Sequence, residues 1–131
     1  MHILGDIGNS ETKIFLVNSN NKIIKSTNFS SKQINNKILK LKFNFLIKDF
    51  MMIKKILFCS VVPKSFNVIK KFFSKNIKRR CYEVKDLNLK SLVNINVNYN
   101  QVGSDRLTNA ISIINNKKNF IIIDFGTATT F

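Results

Sequence analysis

The first thirty residues form three short apolar or β-branched runs separated by polar turns. The runs cover 2–7, 12–18 and 22–29, and the turns at 8–10 and 18–21 are rich in Gly, Asn and Ser. Short runs joined by such turns are typical of neighbouring antiparallel strands. The pattern therefore predicts a three-stranded antiparallel meander.

Helical spacing begins after this segment. Apolar residues recur every three to four positions, at Ile34, Ile38, Leu41 and Phe45, which predicts an amphipathic helix. We expect Ser30-Ser31 to cap its N-terminus and the helix to end near Phe50.

The remaining chain alternates apolar runs with helical patterns. Residues 55–62 form a near-continuous apolar run that Pro63 stops, which predicts a strand covered on both faces near the centre of the sheet. A helix over 64–76 and a short strand over 81–84 are predicted next, followed by a loop or weakly extended segment over 87–100. A helix over 104–116 then leads into a buried strand over 120–125. The helix over 64–76 is expected to bury Phe66, Ile69, Phe72 and Phe73.

Composition sets limits on partners. The chain has 131 residues, with 22 Lys plus Arg against 7 Asp plus Glu and a formal charge of +15, so one domain is the upper limit. Such a charge suggests nucleic acid or a membrane surface. However, Lys, Ile and Asn occur 19 times each, whereas Arg occurs at 79, 80 and 106 alone. A surface selected to bind phosphates would recruit the Arg fork, so we interpret the lysines as background and expect no nucleic-acid partner.

The chain shows no sign of membrane insertion or of a cysteine framework. No window approaches the roughly 20 apolar residues of a spanning helix, and the N-terminus lacks the features of a signal peptide. We therefore expect a cytoplasmic protein with no membrane partner. Cys59 and Cys81 stand alone without a CxxC pair, so they are expected to be reduced and buried.

All four glycines fall in three short segments that also hold three of the seven acidic residues. These segments are where we expect chemistry. They contain Gly5, Asp6 and Gly8; Gly103 and Asp105; and Asp124 and Gly126.

In the first segment, Asp6 ends a predicted strand and Gly8 lies in the turn that follows. Glycine lets backbone N–H groups approach an anion because it has no Cβ, and the carboxylate can hold a metal ion or its water beside that anion. A hairpin without a ligand gives the same pattern, so this segment alone does not distinguish a phosphate-binding turn from a plain hairpin.

Residues 122–130 repeat the arrangement, with an apolar run that ends in Asp124 and then Gly126 and threonines. Two such units can face each other across a cleft. Threonine hydroxyls and backbone amides suit nucleotide β- and γ-phosphates, and two carboxylates suit Mg²⁺. The alternative is that Thr127, Thr129 and Thr130 continue a β-ribbon.

The third segment is Gly103-Ser104-Asp105-Arg106. Ser104 is placed to cap the next helix and Asp105 lies in its first turn, where the helix dipole stabilises a negative charge. An Asp beside an Arg can also take a proton from a substrate hydroxyl while the guanidinium binds a substrate carboxylate.

The chain resembles the type III pantothenate kinases in four segments: 6–10 (Asp-Ile-Gly-Asn-Ser), 60–63 (Ser-Val-Val-Pro), 102–106 (Val-Gly-Ser-Asp-Arg) and 124–130 (Asp-Phe-Gly-Thr-Ala-Thr-Thr). The resemblance implies an α/β fold, a ribonuclease-H-like half of an actin/Hsp70/sugar-kinase type fold with a mixed sheet and flanking helices. The predicted order of elements fits one such half. It also implies ATP-dependent phosphorylation of pantothenate to 4′-phosphopantothenate, the first step of coenzyme A biosynthesis.

The resemblance also implies roles for individual residues. Asp105 would accept the proton of the pantothenate hydroxyl, Asp124 would bind a monovalent cation (K⁺ or NH₄⁺), and Thr127 would contact the ATP phosphates. Asp6 would lie near Mg²⁺. The first phosphate segment would comprise Asp6, Ile7, Gly8, Asn9, Ser10, Glu11, Thr12 and Lys13. The substrate segment would comprise Gly103, Ser104, Asp105 and Arg106, with Arg106 near the pantothenate carboxylate and Tyr99 as a weak further contact, because the family's upstream aromatic residue is shifted here and its Pro is absent.

The chain ends inside the second phosphate segment, whereas members of this family are much longer. We therefore expect an N-terminal ribonuclease-H-like domain over 1–118 and the truncated start of a second domain over 119–131. The full-length enzyme is expected to be a homodimer. Two alternatives remain: another small-molecule kinase of the same superfamily, and a non-catalytic basic protein that binds nucleic acid or regulates another protein.

Overall fold

The computed structural model describes residues 1–46, 50–114, 118–125 and 129–130. Its strands are β1 (His2–Ile7), β2 (Glu11–Val17), β3 (Ile23–Ser30), β4 (Lys55–Ser60), β5 (Cys81–Glu83), β6 (Asp124–Phe125) and β7 (Thr129–Thr130). Its helices are α1 (Asn36–Leu46), α2 (Pro63–Ile77) and α3 (Ser104–Ser112), and short 3-10 turns lie at Ser31–Gln33, Phe50–Met52, Val84–Asp86, Leu89–Ser91 and Tyr99–Gln101.

Five strands form one mixed sheet in the order β3-β2-β1-β4-β5. The antiparallel pairs β1–β2 and β2–β3 confirm the predicted meander. β4 runs parallel to both β1 and β5. The central strand is β1, and β4, which contains most of the run over 55–62, lies next to it. The expectation that this run lies near the centre of the sheet is therefore confirmed. Because β1, β4 and β5 are parallel, their carboxyl ends meet at the same edge of the sheet.

One face of the sheet carries the main hydrophobic core under α1 and α2. Phe43 of α1 contacts Phe73 of α2 edge to face, with ring centres 4.6 Å apart, and Phe58 of β4 lies beneath Phe73. Aromatic pairs of this geometry add to the stabilisation that burial gives. The four predicted core residues of α2 are all buried, which confirms that helix and its inward face: Phe66, Ile69, Phe72 and Phe73.

The other face is covered at one end by α3. Leu107 of α3 packs with Cys59, Val84 and Leu89 in a second, smaller cluster. Alternate residues of β4 point to opposite faces, so Phe58 belongs to the first core and Cys59 to the second. The two clusters therefore hold helices on both faces of β4.

The expectations for α1 need correction. The helix begins at Asn36, and Asn35 caps it, since its Oδ1 accepts a hydrogen bond from Ile38 N at 3.0 Å. Ser31 instead starts a 3-10 turn. Its hydroxyl oxygen is hydrogen-bonded to the hydroxyl oxygen of Thr12, at 2.8 Å. The predicted inward face was wrong in part: the fully buried side chains are Leu39 and Phe43, and Leu41 is 66% exposed, whereas Ile34 packs against the core as predicted. The side chain of Phe45 lies outside the described residues.

The predicted buried strand over 120–125 was also wrong. Ile121 is 89% exposed and Phe125 is 79% exposed, and only Asp124–Phe125 pair, with Thr129–Thr130. In the described part of the chain, no element covers this run. Apolar composition signals a tendency to be buried but does not supply the partner that buries it. α3 ends at Ser112, before the predicted limit near Asn116, and that limit lies outside the described residues.

Gly5 is opposite Phe58 in the β1–β4 pairing, and the Phe58 ring is fully buried. A Cβ added at Gly5 would overlap that ring. We predict that Gly5→Ala lowers the free energy of unfolding by about 1–3 kcal/mol, the usual range for overpacking a core. Urea denaturation monitored by circular dichroism measures the change.

Gly8→Ala is the control for this substitution. Its added Cβ would meet a single backbone oxygen, that of Glu11, at 3.2 Å, which a small shift of the turn relieves. A loss of stability in Gly8→Ala as large as that in Gly5→Ala would contradict the overpacking explanation.

Candidate active site

The edge of the sheet where β1 and β4 end brings together the segments that the sequence singled out. In the pairing register Asp6 lies beside Cys59, and Ile7 beside Ser60. α3 packs against β4, with Leu107 in contact with the cluster that contains Cys59. The first turn of α3 therefore lies at the same edge as Asp6.

Charge interactions show that three carboxylates share this edge. The pKa of Asp6 is raised above its ordinary value of 3.8, and burial of the carboxyl group is the largest cause. Lys13 opposes the shift, while the negative charges of Asp105 and Asp124 add to it. Like charges within reach of each other make ionisation harder. Asp6, Asp105 and Asp124 thus lie on one side of the molecule.

Asp105 is in the first turn of α3, as predicted. Its Oδ1 accepts a hydrogen bond from Arg106 N at 2.9 Å, and the Arg106 side chain is exposed. The N-cap is Gly103, and Ser104 is buried at the first helical position, so the expectation that Ser104 caps the helix was wrong. A Cβ at Gly103 would overlap the Asp105 carboxylate, so the missing side chain leaves room for that group.

Asp124 is tied to α3 by a residue that the sequence analysis did not single out. Asn109 Nδ2 donates a hydrogen bond to Asp124 Oδ2 at 3.1 Å. Asn109 is four positions after Asp105, one turn further along the same helical face. That spacing is the signal that could have identified it.

Cys59 lies beside Asp6 in the strand pairing. Burial raises the pKa of its thiol to about 11, a hydrogen bond with Thr108 opposes the shift, and the charges of Asp6, Asp105 and Glu83 add to it. Both cysteines are free and buried, which confirms the expectation of reduced thiols. Cys59 therefore stays protonated and packs α3 against β4.

The turn between β1 and β2 presents backbone and charge to solvent. Asn9, Ser10 and Glu11 are exposed, and Lys13 Nζ lies 3.6 Å from Glu11 Oε2. The side chains of Ile7 and Thr12 point into the interior and are fully buried. Of the predicted phosphate segment, these two residues can offer a ligand only backbone groups.

Two cavities adjoin these segments. One of about 460 Å³ opens beside Gly103 and Ser104 and is also lined by Pro63, Lys70 and Lys85. The other, of about 330 Å³, adjoins the first turn, and its lining includes Asn9, Lys32 and Lys64. Both cavities thus carry cations next to predicted site residues.

Tyr99 packs against the second cluster, and the Lys85 ammonium lies 5.7 Å from its ring centre. It is half-buried in a 3-10 turn that leads to Gly103. Tyr99 thus helps to hold the approach to α3.

Three further points concern the predicted ligands. Thr127 lies outside the described residues. Among the residues that are described, no group of three or more His, Cys, Asp or Glu side chains is arranged to hold a metal ion. Within the same ranges, no helix combines the length and apolar character needed to cross a membrane.

An edge where acidic residues, an exposed turn and flanking cations meet at the ends of parallel strands suits phosphoryl transfer, which depends on positioning and charge neutralisation. The family model for type III pantothenate kinase matches residues 2–131. The chain therefore belongs to the type III pantothenate kinase family.

Individual relatives agree with this assignment. The chain is 60% identical to a type III pantothenate kinase of Pelagibacter ubique over 131 residues, which is 100% of this chain and 53% of the relative. It is 31% identical to one from Desulforapulum autotrophicum, covering 100% of this chain and 52% of the relative. The chain is also 34% identical to a type III pantothenate kinase from Sulfurihydrogenibium, covering 96% of this chain and 52% of the relative. The chain thus spans about half the length of these curated relatives.

The raised pKa of Asp6 has a consequence for stability. A carboxyl group whose pKa is higher in the folded than in the unfolded state binds protons more tightly when folded, so ionisation destabilises the fold as pH rises through that range. We predict that Asp6→Asn raises the midpoint of urea unfolding at pH 7. The gain should shrink as pH falls through the raised pKa toward about 4 and vanish at lower pH, where Asp6 is protonated in both states.

Glu11→Gln is the matched control, because Glu11 is an exposed acid in the same turn and contacts Lys13 and Asn28 favourably. This substitution should leave stability unchanged or lower it. An Asp6→Asn variant less stable than the parent at pH 7 would contradict the charge repulsion.

Proposed function

We propose that this protein transfers the terminal phosphoryl group of ATP to the primary hydroxyl of pantothenate, which gives 4′-phosphopantothenate. Membership of the family supports the choice of substrates. The observation that carries the proposal is the convergence of Asp6, Asp105 and Asp124 at the edge where parallel strands end. Because the chain spans about half of its relatives, the activity is proposed for the whole protein.

In this proposal Asp105 is the general base. It lies in the first turn of α3, and Gly103 leaves the space that its carboxylate occupies. A carboxylate so held can accept the proton of the substrate hydroxyl as that oxygen attacks phosphorus. Arg106, exposed beside it, is proposed to bind the carboxylate of pantothenate, since a guanidinium pairs with a carboxylate through two hydrogen bonds.

The turn from Gly8 to Lys13 is proposed to bind the ATP phosphates, together with Thr127. Asn9 and Ser10 are exposed residues of this turn, and the Lys13 ammonium, 3.6 Å from the Glu11 carboxylate, places a positive charge there. Phosphoryl transfer depends on positioning and charge neutralisation more than on covalent chemistry. The burial of Ile7 and Thr12 supports this role, because their packing fixes the ends of the two strands that carry the turn.

Two cations are part of the proposal, and the described residues fit both. Mg²⁺ in kinases takes one or two carboxylates and completes its shell with phosphate oxygens and water, so a single acid such as Asp6 suffices on the protein side. Asp124 is proposed to hold a monovalent cation, with Asn109 fixing the orientation of its carboxylate. When bound, these ions would neutralise charge on the phosphates and between the acids.

The proposal extends to organisation. Residues 120–125 do not join the five-stranded sheet and are largely exposed, which supports a domain over 1–118 and the start of another over 119–131. A homodimer and a cytoplasmic location remain part of the proposal, as does the absence of a nucleic-acid or membrane partner in catalysis.

The assignment of Asp105 is tested by Asp105→Asn. We predict that this change lowers the turnover of the whole protein by at least about a hundredfold, a typical contribution of a general base, and leaves ATP affinity unchanged. A coupled assay of ADP release gives turnover, and calorimetry gives ATP affinity. Asp86→Asn is the control, since Asp86 is an exposed acid beyond β5 whose Oδ2 accepts a backbone hydrogen bond that an Asn oxygen can also accept. Near-normal turnover in a folded Asp105→Asn protein would remove Asp105 from this role.

Gly103→Ala tests the space around the base. The added methyl group would displace the Asp105 carboxylate, so we predict a lower kcat with little change in the KM for ATP. Steady-state kinetics at saturating pantothenate measure both. A normal kcat would show that the position of Asp105 does not depend on the glycine.

A further inference from the structure

A third cavity lies at the opposite edge of the sheet, where β4 begins. Its volume is about 620 Å³, and four cationic side chains line it: Lys54, Lys55, Arg79 and Arg80. We call it the basic pocket. Lys55 is the first residue of β4 and Ser60 the last, so roughly 16 Å of strand separates the basic pocket from the candidate active site.

The charge of the basic pocket is not neutralised within the described part of the chain. None of the described residues that line it is acidic. The ion pair found among the described residues joins Lys13 and Glu11, at the other edge of the sheet. Burial lowers the pKa of nearby His2, and the charges of the N-terminal amine, Lys55 and Lys54 lower it further. Positive charge therefore accumulates at this edge.

One arginine of the basic pocket, Arg80, is held in place. Lys78, with φ of 52°, takes a left-handed conformation that ends α2 and turns the chain toward β5. The Arg80 guanidinium then lies 4.7 Å from the centre of the Tyr82 ring. Cation–π contact of this kind restrains a guanidinium while its N–H groups remain available. Two of the three arginines in a lysine-rich chain are thus at one cavity.

The floor of the basic pocket is apolar. Leu57 and Tyr82 are paired across β4 and β5 and are half-buried, and Leu87 is 39% exposed at the rim. α3 covers the other end of this face, at Cys59 and Val84. A ligand that only carries charge would leave this apolar surface in contact with water.

We propose that the basic pocket binds a small molecule of the nucleoside diphosphate class, with two or more phosphate groups on the cations and an apolar or aromatic group over Leu57 and Tyr82. Arg forks pair with phosphate oxygens through two hydrogen bonds, and Lys adds charge from a second element. Stabilisation of the C-terminus of α2 accounts for Arg79 and Arg80 but not for Lys54 and Lys55, which belong to the β4 side. The basic pocket is distinct from the proposed catalytic site.

The test follows ADP binding to the whole protein by the backbone amide NMR signals of two groups. Signals of Leu57, Arg80 and Tyr82 report on the basic pocket, and those of Gly8 and Asn9 report on the proposed catalytic turn. We expect ADP to shift both groups. Inorganic tripolyphosphate should shift the first group with weaker affinity than ADP, and adenosine alone should bind weakest.

Substitutions separate the two sites. The double variant Arg79→Gln, Arg80→Gln should weaken ADP binding at the basic pocket at least tenfold while leaving the signals of the catalytic turn and the kinase activity unchanged. The control Lys71→Gln, Lys75→Gln removes the same charge from exposed positions of α2 and should leave both responses intact.

Each contrary result has a definite meaning. No shift at Leu57 and Tyr82, or equal weakening by the control variant, overturns the proposed pocket and leaves the kinase proposal standing. Shifts at the pocket with none at Gly8 and Asn9 support the pocket and count against the catalytic turn. Binding of a fifteen-nucleotide single-stranded RNA in preference to ADP also overturns the proposal, because the surface would then serve nucleic acid.

Discussion

The parallel pairing of β1 with β4 is the constraint on which the candidate site depends. It sets the carboxyl ends of two buried strands side by side, with Asp6 next to Cys59. Cys59 and Leu107 then pack α3 against the same strand, which brings Asp105 toward Asp6. Segments one hundred residues apart in sequence meet because one strand register and one helix contact hold them. A shift of β1 by a single residue would turn Asp6 into the core and Ile7 out of it.

This arrangement has an electrostatic cost that the rest of the fold must offset. Burial of the Asp6 carboxyl group is the largest cause of its raised pKa, and the charges of Asp105 and Asp124 add to the shift while Lys13 opposes it. The aromatic core under α1 and α2 lies on the opposite face of the sheet, where burial of Phe43, Phe58 and Phe73 stabilises the strands without contacting the acids. The aromatic residues that stabilise the fold and the acids of the proposed site thus lie on opposite faces of the sheet. Cations bound among the acids would relieve the repulsion that the fold tolerates.

Local pattern predicted much of this structure, and tertiary contacts decided the rest. Short apolar or β-branched runs and turns rich in Gly, Asn and Ser were sufficient for the meander, and the spacing of Phe66, Ile69, Phe72 and Phe73 identified α2 and its inward face. The face of α1 was mispredicted because Ile38, Leu39, Leu41 and Phe43 offer two apolar stripes, and only the position of α2 selects between them.

Ser104 and Gly103 compete for the N-cap of α3, and burial of Ser104 decided between them. Asn109 was missed since its partner, Asp124, is distant in sequence. The motif segments, by contrast, led to the candidate site edge, because in three of them acids and glycines stand out in a chain rich in Lys, Asn and Ile. The roles of their residues stay predictions.

The charges are distributed unevenly, so the net charge of +15 does not describe each edge of the sheet. At the edge where β1 ends lie Asp6, Glu11 and Glu83 by strand register, and Asp105 and Asp124 by their action on Asp6. At the edge where β4 begins, the described residues that line the basic pocket include Lys54, Lys55, Arg79 and Arg80, with no acid among them.

Composition alone led to the interpretation of lysine as background, and for scattered exposed lysines that interpretation still applies. It does not extend to Arg79 and Arg80, because they are two of the three arginines in the chain, they line one cavity, and Arg80 lies over an aromatic ring. If both proposals hold, phosphate-bearing molecules would bind at two distinct sites on this fold. At one edge the acids would leave phosphate binding dependent on metal ions, and at the other the protein itself would supply the positive charge.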